Sequence, residues 1–168
     1  MRYILLVLLP FLSVFLQTTI FADISIRGVV PDLVLVFVIF YALLNGANKG
    51  VVYGLLCGLL EDLYTGRFIG MNAVSKAATA YIIGKFRRRV FTENLGVGIF
   101  CVIIGSMINA LINLILAFVY FTVFNISLHL LINVCYQILY NVLLATPLYI
   151  WYYRSSKRGW LKETGDKL

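Results

Sequence analysis

Few residues of this chain are equipped for chemistry, and most lie inside or at the ends of long apolar runs. Lys76 is the least expected. It falls about a turn and a half into an apolar stretch, on one helical face with Asn72 and Thr79. An ionisable group at membrane depth is costly, so it needs a partner or a task. Pairing with Asp62 or snorkelling outward is the structural reading. Contact with a partner or ligand, or a proton or ion path, is the functional one. Glu61 and Asp62 close the preceding apolar run, and Gly66 and Gly70 then permit tight turns.

Polar residues also recur in the last two apolar runs. His129, Asn133, Gln137 and Asn141 stand four apart, and Ser106, Asn109 and Asn113 lie in the run before. Such stripes share a helical face and can meet across a hairpin. Each interhelical hydrogen bond contributes only about 0.6 kcal/mol on average. Adhesion between the two helices is one reading, and a polar cavity for a small molecule is the other. His129 alone titrates near neutrality; its place at the outer end of its run suits an interfacial, solvent-touched position.

Gly46, Gly50, Gly54 and Gly58 form a third pattern. Missing side chains at this spacing let another backbone approach closely. The approaching helix is either one of this chain's own or a partner's. No arrangement of nucleophile, base and orienting group emerges, and neither a metalloprotease HExxH nor a phosphate-binding Gly-Lys-Ser/Thr signature is present. A membrane hydrolase built on Glu61, Asp62 and His129 is therefore disfavoured, and no enzyme, cofactor or metal is expected. Cys57, Cys101 and Cys135 stand alone in apolar runs, where small buried hydrophobes are expected.

The elements that position these residues follow from hydropathy. Of 168 residues, 62% are hydrophobic and 12% charged, with a mean hydropathy of +0.96. A soluble domain carries about 25% charged residues, so these proportions predict an all-α integral membrane protein. The apolar segments are Ile4–Ala22, Leu33–Leu44, Gly50–Leu60, Met71–Gly84, Leu95–Phe124 and Leu128–Tyr152. The first is read as a retained helix rather than a signal peptide, being long and interrupted by Pro10, Ser13 and Gln17. The second and third fall short of the roughly 20 residues that span a bilayer. They are read as a hairpin, against one helix over 33–60 that would bury Lys49 at mid-membrane. Asp32, after Pro31, suits the N-cap of the second segment.

Charge sets the orientation. Arg2, Lys49, the run Lys85, Arg87, Arg88 and Arg89, and the tail residues Arg154, Lys157, Arg158, Lys162 and Lys167 fall in alternate polar breaks. Basic residues are retained in cytoplasmic loops. Six crossings in one bundle over 1–153 are expected, with both termini cytoplasmic and a short basic tail at 154–168. Trp151, Tyr152 and Tyr153 would sit at the headgroup boundary. The net charge of +7 is explained by this topology and by anionic lipid facing Arg87, Arg88 and Arg89, so no nucleic-acid partner is implied.

The stretch Pro31-Asp32-Leu33, the glycines at 46, 50, 54 and 58 leading into Leu59-Leu60-Glu61-Asp62-Leu63, then Gly66 and Gly70-Met71-Asn72-Ala73, resembles the bacterial rod shape-determining protein MreD family. Residues 31–73 are the most specific part; size, hydropathy and the basic patch agree over nearly the whole chain. The resemblance implies a fold similar to the six-helix substrate-binding subunits of energy-coupling-factor vitamin transporters. It also implies a non-enzymatic role in the bacterial cell membrane. The implied partners are MreC, engaged through its single transmembrane helix, MreB filaments, and RodA with its penicillin-binding protein. Pro31, Asp32, Gly50, Gly54, Gly58, Asp62 and Gly70 are the family-pattern residues. A vitamin-binding transporter subunit is the alternative function.

Overall fold

The computed structural model describes residues 2–25, 27–66, 68–87, 95–120 and 128–158. Arg88 and Arg89, and the turn at 125–127, lie outside them. The described elements are all helical: α1 (Arg2–Thr18), α2 (Ile20–Asp23), α3 (Leu33–Asn45), α4 (Ala47–Thr65), α5 (Met71–Phe86), α6 (Leu95–Tyr120) and α7 (Leu128–Arg158). Three helical stretches are long and apolar enough to cross a membrane: Ile4–Asp23, Leu95–Val119 and His129–Ser155. Helix α3 is also apolar but shorter.

Apolar runs locate these helices better than they locate their ends. Helix α4 extends past the expected 50–60 on both sides, because Ala47, Asn48 and Lys49 and the polar stretch 61–65 are compatible with a helix without being apolar. Helix α7 continues beyond Tyr152 for the same reason. The expected first segment breaks at Thr19, between α1 and α2.

Helix α3 is the hub. Leu33 through Phe40, with Ala42 and Leu43, are all buried, as expected of a helix that is hydrophobic on every side. The other long helices surround it. Phe40 meets Tyr149 of α7 edge-on at 5.0 Å, and Phe37 lies 6.0 Å from Tyr152. Tyr152 is thus a core residue rather than a headgroup anchor, whereas the adjacent Trp151 is exposed. Neighbouring positions on a helix point about 100° apart, so one faces the bundle and the next faces outward. Cysteines divide the same way. Cys57 and Cys101 are buried, but Cys135 is exposed on α7, contrary to expectation.

Between α3 and α4 the chain reverses at Gly46, whose φ of 91° lies in the region that glycine tolerates. A single helix over 33–60 is thereby excluded. Gly46 is not part of the glycine face at all; it is the turn. The remaining three glycines set α4 against α5 in a constant antiparallel register. A Cβ at Gly58 would lie 2.5 Å from Ala73 Cα, one at Gly54 would lie 2.8 Å from the Lys76 carbonyl oxygen, and one at Gly50 would lie 3.4 Å from the Ala80 carbonyl oxygen. The same face receives α3, since a Cβ at Gly50 would also lie 2.7 Å from Ala42 Cβ. The glycine face is therefore filled from within, and it offers no seat for a partner's helix.

One end of the bundle gathers the α3–α4 turn, the C-termini of α5 and α7 and the N-terminus of α6. Gly84 packs on Ala47, the Arg87 guanidinium reaches Gly46, and Gly98 packs on the Tyr149 ring. Lys49, Lys85, Arg87 and Arg154 belong to this end, while Asp32, Glu61 and Asp62 belong to the other.

Gly58→Leu should not be accommodated, because the obstructing atoms are backbone. Overpacking of this kind costs about 1–3 kcal/mol or more. The variant is expected to unfold at a clearly lower temperature in detergent, while Leu63→Ala, at an exposed position of the same helix, leaves the midpoint near that of the parent.

Candidate functional site

The acidic end of the bundle is built on the start of α3. Asp32 caps that helix: Oδ1 accepts from the Leu35 amide at 2.8 Å, which satisfies one of the free first-turn donors. Its other oxygen, Oδ2, accepts from Lys76 Nζ at 2.9 Å. The Asp32 amide in turn donates to Asn141 Oδ1 at 2.8 Å, and Asn141 Nδ2 donates to Ser106 Oγ at 3.0 Å. One residue thus joins α3 to α5 directly and to α7 and α6 through an amide.

Lys76 is wholly buried. Its second ionic partner is Glu61 Oε2, at 2.6 Å. Asp62, the expected partner, does something else. Its Oδ2 accepts from the amides of Gly70 at 2.9 Å and Ala73 at 3.1 Å, and its Oδ1 accepts from Asn72 at 3.1 Å. The carboxylate closes the N-terminus of α5, where free amides and the helix dipole both favour negative charge. The two acids stand side by side in sequence, so the helix turns them to different tasks. Gly70 enters this cap with φ of 103°, a conformation that brings its amide onto Asp62 and that a Cβ would strain.

The polar stripes of α6 and α7 divide as well. Ser106 and Asn141 bond across the hairpin, and both are buried. Asn109, Asn113, Asn133 and Gln137 instead line a cleft of about 460 Å³, which Asp32 and Glu61 also border. Asn109 is only 5% exposed, yet its Oδ1, like that of Asn113, has no hydrogen-bond partner among the described residues. His129 is exposed on the first turn of α7. Pro31 is buried beside Asp32 and lines the same cleft. Arg87 lies at the opposite end of the bundle, apart from this site.

Sequence reading missed the link between Asp32 and Lys76. The two are 44 residues apart, and Asp32 was already accounted for as a helix cap. The signal available was arithmetic: a buried lysine with two acids one helix away leaves a third acid, at the start of an entirely apolar helix, with a second oxygen to satisfy.

The family model described as rod shape-determining protein MreD matches residues 1–156. The chain belongs to the MreD family. No curated protein and no solved structure matches the chain. MreD proteins are part of the MreBCD shape-determining system and are shape-determining structural proteins. The long apolar helices agree with a membrane protein. The residues that carried the resemblance fall into two groups here: Pro31, Asp32, Asp62 and Gly70 build the acidic end, and Gly50, Gly54 and Gly58 set the α4–α5 contact.

Removing one member of a buried ion cluster strands the others. Lys76→Met should cost about 3–5 kcal/mol. The triple variant Asp32→Asn, Glu61→Gln, Lys76→Met removes every stranded charge and should recover at least half of that loss, read from unfolding midpoints in detergent.

Proposed function

We propose that this chain is a non-enzymatic membrane scaffold of the cell-elongation complex, which engages an MreC-like single-pass protein and helps position peptidoglycan synthesis for rod-shaped growth. The observation that carries this reading is how the charged side chains are used. Asp32 and Glu61 both hold Lys76, and Asp62 holds a helix end. What such a bundle presents to a neighbouring helix is shape and apolar surface.

The supporting surface is a groove between α1 and α4. It encloses about 550 Å³ and is lined by Leu6, Pro10, Val52, Tyr53, Leu56 and Leu60, among others. Val52 and Leu56 are 61% and 59% exposed, so they contribute contact area without holding the fold. In lipid, helices associate through packing against such concave faces rather than through hydrophobic exclusion. This groove replaces the glycine face as the seat for the MreC helix.

In this reading the chain makes six crossings of the bacterial cell membrane, with residues 1–153 as the membrane domain and 154–168 as a basic tail. Both termini are cytoplasmic. The clustering of Lys49, Lys85, Arg87 and Arg154 at one end supports that orientation. In this reading the basic run of the sequence at Arg87, Arg88 and Arg89 serves as a contact for anionic lipid, near MreB filaments and RodA with its penicillin-binding protein.

Depletion should round the cells, and affinity capture from native membranes should recover an MreC-like protein. Val52→Trp with Leu56→Trp fills the groove at exposed positions. The double variant should accumulate normally yet lower that capture about tenfold, the consequence of losing ~1.4 kcal/mol. Unchanged capture would remove the groove from the interface.

A further inference from the structure

The cleft bordered by α6, α7 and the ion cluster is a better candidate for a ligand than for mere looseness. Protein interiors rarely leave buried polar atoms without partners. Besides Glu61 Oε2, whose one close partner given is the Lys76 ammonium, three do so around one cavity: Asn109 Oδ1, Asn113 Oδ1 and Gln17 Nε2 have no hydrogen-bond partner among the described residues, and all three residues line the cleft. Asn109 and Gln17 are 5% and 8% exposed, so these are built positions rather than surface side chains.

Charge points to what is missing. One lysine faces two carboxylates, leaving one negative charge over. Asp32 is compensated by Lys76 and by the α3 amides it caps. The surplus therefore rests on Glu61, whose side chain is the more exposed of the two, at 16% against 9%. A complementary ligand brings positive charge and several donors for Glu61, Asn109 and Asn113, together with an acceptor for Gln17. A primary ammonium with a nearby oxygen has this pattern, since –NH₃⁺ offers three donors and accepts none. A bare cation does not fill about 460 Å³, and Leu114 and Ala117 give the cleft an apolar wall for carbon.

We infer that this cleft binds a primary ammonium group carrying a neighbouring oxygen acceptor, the chemistry shared by phosphoethanolamine lipid headgroups and free amino alcohols. The inference stands apart from the use of the α1–α4 groove. The test uses the full chain in nanodiscs of mixed phosphatidylethanolamine and phosphatidylcholine, with retained lipid identified by native mass spectrometry. In parallel, ethanolamine and choline are compared as stabilisers of detergent-solubilised protein. Quaternary ammonium groups keep the charge but lack N–H donors, so each pair isolates the hydrogen bonds.

Retention of phosphatidylethanolamine over phosphatidylcholine by about tenfold assigns the site to lipid. A higher unfolding midpoint with ethanolamine and not with choline, without lipid preference, assigns it to a soluble amine. Either preference should fall sharply in Glu61→Gln. It should fall also in Asn113→Leu, which lies outside the ion cluster and leaves the bundle's ties intact. No preference for the primary amine in either assay overturns the inference. So does a preference that both variants retain.

Discussion

A lysine ammonium that no solvent reaches must be neutralised where it sits, and the rest of this bundle is arranged around that demand. Lys76 projects from the middle of an apolar helix, and taking an ion out of water costs several kcal/mol even after relaxation. The compensation comes from two other helices: Asp32 opens α3 and Glu61 lies in the last turns of α4. In lipid, helices gain no hydrophobic energy from meeting one another. Specific polar ties of this kind can therefore choose which helices meet and in what register. Asn141 carries the tie onward to α7, and through Ser106 to α6. Five helices are thus referred to one buried charge.

Close packing is the other half of the arrangement. The α4–α5 register that brings Glu61 near Lys76 is the register in which Gly50, Gly54 and Gly58 let the two backbones touch. Asp62 holds the α4–α5 connection closed by taking three amides of the following turn. Ion pair, glycine contact and helix cap agree with one another. Such agreement between local and global preferences is what singles out one structure among alternatives. It also leaves the outer faces free to be apolar. Val52, Leu56, Leu111 and Leu143 are exposed because nothing in the bundle requires them, and they meet lipid or a neighbouring helix.

Much of this was legible in the chain. Hydropathy marked the helices, the spacing of glycines announced a close backbone approach, and Asp32 was recognisable as a cap. The lysine inside an apolar run was visible as a residue in need of partners. Which acid would answer it was not, because the answer depends on helical phase. Glu61 and Asp62 differ by one position, and that step decides whether a carboxylate turns toward Lys76 or toward the α5 amides. The same ambiguity hid Tyr152, whose neighbours Trp151 and Tyr153 read as a headgroup belt while it packs on Phe37 and Phe40. Gly46 shared its spacing with a helix face but serves as the turn. Residue type carries propensity, whereas these outcomes rest on contacts between segments far apart in sequence. The polar stripes illustrate the limit as well: similar helical spacing yields a bond at Ser106 and Asn141 and an open cleft at Asn109, Asn113, Asn133 and Gln137.

The most direct measurement is solid-state NMR of the bilayer-embedded protein, with ¹⁵N in lysine side chains and ¹³C in carboxylates. The account predicts a slowly exchanging Lys76 ammonium whose nitrogen correlates through space with both the Asp32 and the Glu61 side-chain carboxyl carbons. A Lys76 ammonium that exchanges freely with water, or that correlates with Asp62 in their place, would contradict it.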